Sequence, residues 1–147
     1  MTGVTLWTLR LLTAAGLAVD AYIHADLAAT YDPVRHSISQ GDLFRAEAGA
    51  SALAALLVLL TARRAVWAFA FLVAASALGG ILLYRYANVG NLGPLPNMYE
   101  PLWFPEKTAT AIAEAAATVT ALAGFATAHA AAAHARPLRA LQHPEAY

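Results

Sequence analysis

The chain contains no cysteine. That single absence removes disulfides, thiolate metal sites and cysteine nucleophiles together. Charge is scarce as well. Of 147 residues, 12% are Asp, Glu, Lys or Arg, against about 25% in a typical soluble domain. Lysine is nearly missing, with Lys107 set against eight arginines, and the formal net charge is zero. No basic field exists to hold nucleic acid. The catalytic signatures are missing too: no HExxH, no glycine-rich phosphate loop, and no serine–histidine–acid order. The Glu-x-x-His pairs of helical di-iron proteins are also absent. No catalytic residue is assigned, and no cofactor is indicated.

What is present is apolar. Hydrophobic residues make up 60% of the chain and the mean hydropathy is +0.55, which is the composition of a membrane protein. A bilayer core of roughly 30 Å needs about 20 mostly apolar helical residues. Four segments meet this, at 4–25, 43–62, 65–84 and 108–129. In lipid the backbone must satisfy its own polar groups, so each segment reads as a helix. The fold class is all-α, a single four-helix transmembrane domain over 1–147. The first segment lacks a basic region before its apolar run, so it reads as a retained helix rather than a signal peptide. Arg10 lies near its start and is expected to snorkel to the nearer interface.

Lys and Arg in short loops set orientation. Arg63 and Arg64 fill the tight turn between spans two and three, and Arg136 and Arg139 follow span four. With Arg10, these fall on one side if both termini are cytoplasmic, in the cytoplasmic membrane. The loop between spans three and four then lies outside. It carries Pro94, Pro96, Pro101 and Pro105 with aromatics between them. Proline removes backbone donors and fixes φ, so this stretch is neither helix nor sheet. It reads as an interfacial anchor or as a stiff lid carrying Tyr99 and Trp103. The tail, 130–147, reads as cytoplasmic; the spacing of His129, His134 and His143 matches no ligand motif.

One feature resists a plain membrane reading. "LLTAAGLAVDAYIHAD" begins as a span and ends in Asp20, His24 and Asp26. Asp20 lies six residues inside Asp26, Glu47 five inside Asp42, and Glu114 seven inside Lys107. At about 1.5 Å per residue these depths are all on the order of 7–11 Å. Three carboxyl groups from three helices therefore share one layer. His24 stands one turn above Asp20 on the same face. Arg45 and Arg85 enter from helix ends as expected counter-charges. Lipid-facing charge costs several kcal/mol, so the layer should face the bundle interior. Small-residue runs such as "EAGASALAALL", "VAASALGG" and "EAAATVTALAG" let the helix backbones close around it.

The layer has three readings. The preferred one is a binding, accessory or transport-related site built from Asp20, His24, Glu47 and Glu114, with Arg45 and Arg85 beside them. The second is a structural subunit whose buried charges fix helix packing. The third is a metal-dependent membrane oxidoreductase, since carboxylates and imidazole suit Fe, Mn or Zn. The bilayer is the first partner; a second copy or a partner membrane subunit is expected if four short helices are to enclose a pathway.

The stretches "VDAYIHADLAATYD", "SQGDLFRAEA" and "YRYANVGNLGPLPNMYEPLWFPEKT" resemble a group of small actinobacterial four-span membrane proteins. That resemblance implies the four-span architecture over nearly the whole chain and supplies no activity. In size and span number the chain is also similar to the DoxX group, with no DoxX motif to carry over.

Overall fold

A computed structural model describes the backbone of residues 3–142 and the side chains of residues 3–129. Four helices follow one another: α1 (Gly3–Leu27), α2 (Gln40–Leu60), α3 (Arg64–Tyr86) and α4 (Pro105–Gln142). Each is long and apolar enough to cross a membrane. Among the described residues there is no strand, only two isolated bridges in the loops.

The helix boundaries differ from the hydropathy segments for local reasons. Helix α2 starts at Gln40 rather than 43. Ser39 caps it, accepting from the Asp42 backbone N–H at 2.9 Å while the Asp42 carboxylate accepts from the Ser39 N–H. This reciprocal capping box ties off two orphan donors. Helix α4 starts on Pro105, whose missing N–H costs nothing in the first turn. Its backbone stays helical to Gln142. Within the 130–147 tail, His134 and His143 lie outside the residues whose side chains are described; His129 is exposed.

Helix α1 packs against α2 and α4, and α4 against α3, while α2 and α3 pack least closely. The bundle is turned inside out relative to a soluble protein. Its core is mostly alanine, including Ala14, Ala54, Ala70, Ala74, Ala117 and Ala121, around Leu17, Val58 and Trp67. Leucines point outward, among them Leu11, Leu12, Leu53, Leu56, Leu60 and Leu72. Hydrocarbon is as apolar as leucine, so large side chains gain nothing by facing inward, and small ones let backbones approach.

Two glycines mark close approaches between helices. A Cβ on Gly16 would sit 2.6 Å from the Ala113 carbonyl oxygen, so α1 and α4 touch backbone to backbone. A Cβ on Gly124 would sit 2.4 Å from the Trp67 ring, which fills the core between α3 and α4.

Arg10 does not snorkel outward. It is 8% exposed and turns into the bundle. Its Nε donates to the Val58 carbonyl at 2.8 Å and its guanidinium also donates to the Leu59 carbonyl. These are orphan carbonyls at the end of α2, where a cation also suits the helix dipole.

At the opposite end the two long loops are stitched together. The Ser37 and Ile38 N–H groups both donate to the Pro94 carbonyl at 3.2 Å, and the Glu100 N–H donates to Tyr84 at the end of α3 at 3.0 Å. Gly90 and Gly93 supply the positive φ values of the turns, 67° and 57°. Asn97 holds the loop's course, its Nδ2 donating to Asn88 and its N–H to Asn91.

Replacing Gly16 by Val is expected to force α1 and α4 apart and to cost about 1–3 kcal/mol. Gly49 has open space where a Cβ would stand, so Gly49→Ala serves as the control. Thermal unfolding of the two variants in detergent measures the difference; equal melting temperatures would contradict the close approach.

Candidate functional site

The α1–α4 contact at Gly16 decides what happens one turn later. Asp20, on α1, is fully buried and faces Glu114 on α4, itself 1% exposed. From α2, the Ser51 hydroxyl donates to Asp20 Oδ2 at 2.5 Å and stands 3.2 Å from Glu47 Oε1. His24 Nδ1 lies 2.7 Å from Asp20 Oδ1 and 3.1 Å from the Asp20 carbonyl oxygen. The imidazole packs edge-on against Phe44, their ring centroids 4.9 Å apart. Asp20, His24, Glu47 and Glu114 are thus gathered from three helices.

Donors are short in this layer. A hydroxyl has one proton and an imidazole Nδ1 has at most one. If Ser51 gives its proton to Asp20, the contact with Glu47 becomes a hydrogen bond only when Glu47 brings its own. Both Glu114 oxygens are buried without a hydrogen-bond partner. The hydroxyls of Thr110 and Thr118, one turn on either side of Glu114, are likewise unpartnered. Deeper in the bundle, Thr13 donates to Thr120 at 2.7 Å across the α1–α4 seam. A buried carboxyl without a partner costs several kcal/mol unless a proton or cation joins it.

Neither arginine balances these acids. Arg45 forms a fork on Asp32, at 2.7 and 2.8 Å, with Asp42 at 3.2 Å. The pair is half exposed at the loop end of α2. The reason is reach: Arg45 stands near the start of α2, beside the loop that carries Asp32 and away from the Glu47–Ser51 face. Arg85 lies over the Tyr86 and Trp103 rings, 5.0 and 5.7 Å from their centroids.

Above the layer is a cavity of about 490 Å³. Its walls are mostly apolar, with Leu43 and Phe44 from α2, Ala77 and Ile81 from α3, and Leu95 and Met98 from the proline-rich loop. His24, Glu47 and Thr110 line it on the side of the acids. The loop does face the cavity, but with Leu95, Met98, Glu100 and Phe104 rather than with Tyr99 and Trp103, which are more exposed. Tyr31 also lines it, tilted on Phe44 with ring centroids 5.0 Å apart. Burial pushes the Tyr31 phenol up, and Glu100 and Glu106 push it the same way, so it remains a neutral donor at physiological pH.

No family model, curated protein or solved structure matches the chain.

The Asp32–Arg45 fork, outside the helices' apolar stretches, has a defined pH response. The Arg45 guanidinium holds the Asp32 carboxyl below the ordinary carboxylate value of 3.8. A carboxyl whose folded pKa is depressed contributes stability that is full above its unfolded pKa and fades as pH falls through the folded one. Asp32→Asn is expected to lower the melting temperature at pH 7, and the gap between variant and parent should narrow progressively as pH drops below about 5. Melting curves across that range test it; a gap that is unchanged at pH 3 would assign the effect to something other than the ion pair.

Proposed function

We propose that this is a multi-pass membrane protein that binds a small amphipathic molecule in the cavity between the acid layer and the proline-rich loop. The observation that carries this reading is the chamber itself. Its volume of about 490 Å³ lies within the range of about 300–1,000 Å³ usual for small-molecule sites. Apolar walls suit a hydrocarbon or ring body. His24, Glu47 and Thr110 at one edge suit a head group that donates hydrogen bonds or carries positive charge, because the layer has acceptors to spare. The α2–α3 edge, the least closely packed side, supplies a lateral way in from the bilayer.

The arrangement of basic residues supports both termini being cytoplasmic. Arg63 and Arg64 occupy the short turn, with Arg10 and the tail's Arg136 and Arg139 on the same side, while the long-loop end carries Arg35 and Lys107, with Arg45 and Arg85 at helix ends, a modest excess for the short-turn side. The cavity then opens on the outer half of the membrane.

The structural alternative draws on one observation, the Ser51 link between Asp20 and Glu47, which joins α1 to α2. The two readings part at Gly80. This residue lines the cavity, and a Cβ added there meets nothing within 4 Å. Gly80→Phe is expected to fill the chamber while leaving the melting temperature equal or higher. Native mass spectrometry of protein taken from its own membrane should show a bound small molecule in the parent and not in the variant. Equal occupancy in both, or none in the parent, would sink the binding proposal. Under the structural alternative Gly80→Phe changes nothing, whereas Glu47→Gln lowers the melting temperature.

A further inference from the structure

We propose that Asp20, His24 and Glu114 form a binding site for one divalent transition-metal ion at the floor of the bundle's polar layer. Each residue offers one donor atom, and the three donor atoms lie within 4.8 Å of one another. Donors held at about 2.0–2.2 Å from one ion stand about 3–4 Å apart. The spread of the three atoms is close to that separation, and the unbonded Glu114 carboxyl is the one left to adjust.

The independent mark of a ligand is Glu114. It is 1% exposed, both of its oxygens lack a hydrogen-bond partner, and it is aimed at Asp20 and His24. Burying such a group bare is expensive. An ion of charge +2 between two carboxylates and a neutral imidazole gives a site of zero net charge, the arrangement that an apolar bundle tolerates best. Such an ion takes the place that a proton shared between Asp20 and Glu114 would otherwise fill.

The surrounding residues fit the role. Ser51 donates to Asp20 Oδ2 at 2.5 Å, which fixes the carboxyl so that its other oxygen faces His24 and Glu114. Supporting bonds of this kind orient metal ligands. Access runs through the cavity, whose lining includes His24 and Thr110, the latter one turn before Glu114. Imidazole beside two carboxylates suits Mn²⁺, Fe²⁺ or Zn²⁺; Mg²⁺ and Ca²⁺ prefer oxygen alone. The site rests on the two helices that carry its ligands, α1 and α4, and not on what occupies the cavity, so loss of ligand in Gly80→Phe leaves it standing.

The test uses full-length protein in detergent, purified through a tag without histidine and stripped with chelator. Melting temperature is followed as Mn²⁺, Zn²⁺ or, without oxygen, Fe²⁺ is added, with Mg²⁺ and Ca²⁺ as comparisons. Bound metal per chain is counted by elemental analysis. The expected result is one ion per chain and a rise of several degrees with at least one transition metal. The rise should vanish in Glu114→Gln and persist when His36, His129, His134 and His143 are all replaced by Gln. If Glu114→Gln does not yield folded protein, His24→Gln, at the cavity edge, takes its place. No shift with any of the three transition ions overturns the proposal. So does a shift retained in Glu114→Gln or His24→Gln, one lost with the four other histidines, or one of equal size with Mg²⁺.

Discussion

Two carboxyl groups pressed together inside an apolar bundle need something positive between them, whether a proton or a cation. In this protein the pressing is done by a glycine. Gly16 removes the side chain that would keep α1 from α4. The seam then closes down to backbone contact, and the next buried turn carries Asp20 against Glu114. Ser51 donates to one oxygen of the Asp20 carboxyl and His24 Nδ1 stands 2.7 Å from the other, while neither Glu114 oxygen has a hydrogen-bond partner. The chemistry open to the site follows from this imbalance. The acids outnumber the donors aimed at them.

The rest of the bundle keeps that layer dry below and reachable above. On the short-turn side Trp67, Val58 and Leu17 are fully buried and plug the core with apolar bulk. On the long-loop side the helices diverge around a cavity, and two loops tied to each other through Pro94 roof it. The proline-rich segment works as a roof because its own polar groups are satisfied locally. Asn97 donates to both Asn88 and Asn91, and Lys107 donates to the Glu100 carbonyl. A rigid loop can hold Leu95, Met98 and Phe104 over the chamber without a helix to carry them.

Much of this was legible in the residues. Four apolar runs give four helices, and counting from the charged ends puts Asp20, Glu47 and Glu114 at a common depth. His24 follows Asp20 by helical spacing alone. What was not legible depended on direction rather than depth. Arg45 and Arg85 have the right sign and the right height for counter-charges, yet periodicity does not say that the loop brings Asp32 within reach of Arg45. Nor does hydropathy show that Arg10 turns inward, because the carbonyls it meets belong to the end of another helix. The Ser39–Asp42 box was present as a Ser-x-x-Asp pattern and marks the start of α2. A polar pocket beneath the proline-rich loop follows from the depth of the acids, but the apolar character of its walls had no signal, since they are the same leucines, alanines and aromatics found elsewhere in the chain.

The inward turn of Arg10 bears on assembly. A guanidinium entering hydrocarbon must arrive with its compensation in place, and here that compensation is the frayed carbonyl end of the very next helix. The first hairpin thus carries within itself the groups that neutralise its most awkward side chain. It can partition into lipid as a closed unit before α3 and α4 are made, leaving the later pair to complete the acid layer once Glu114 is delivered.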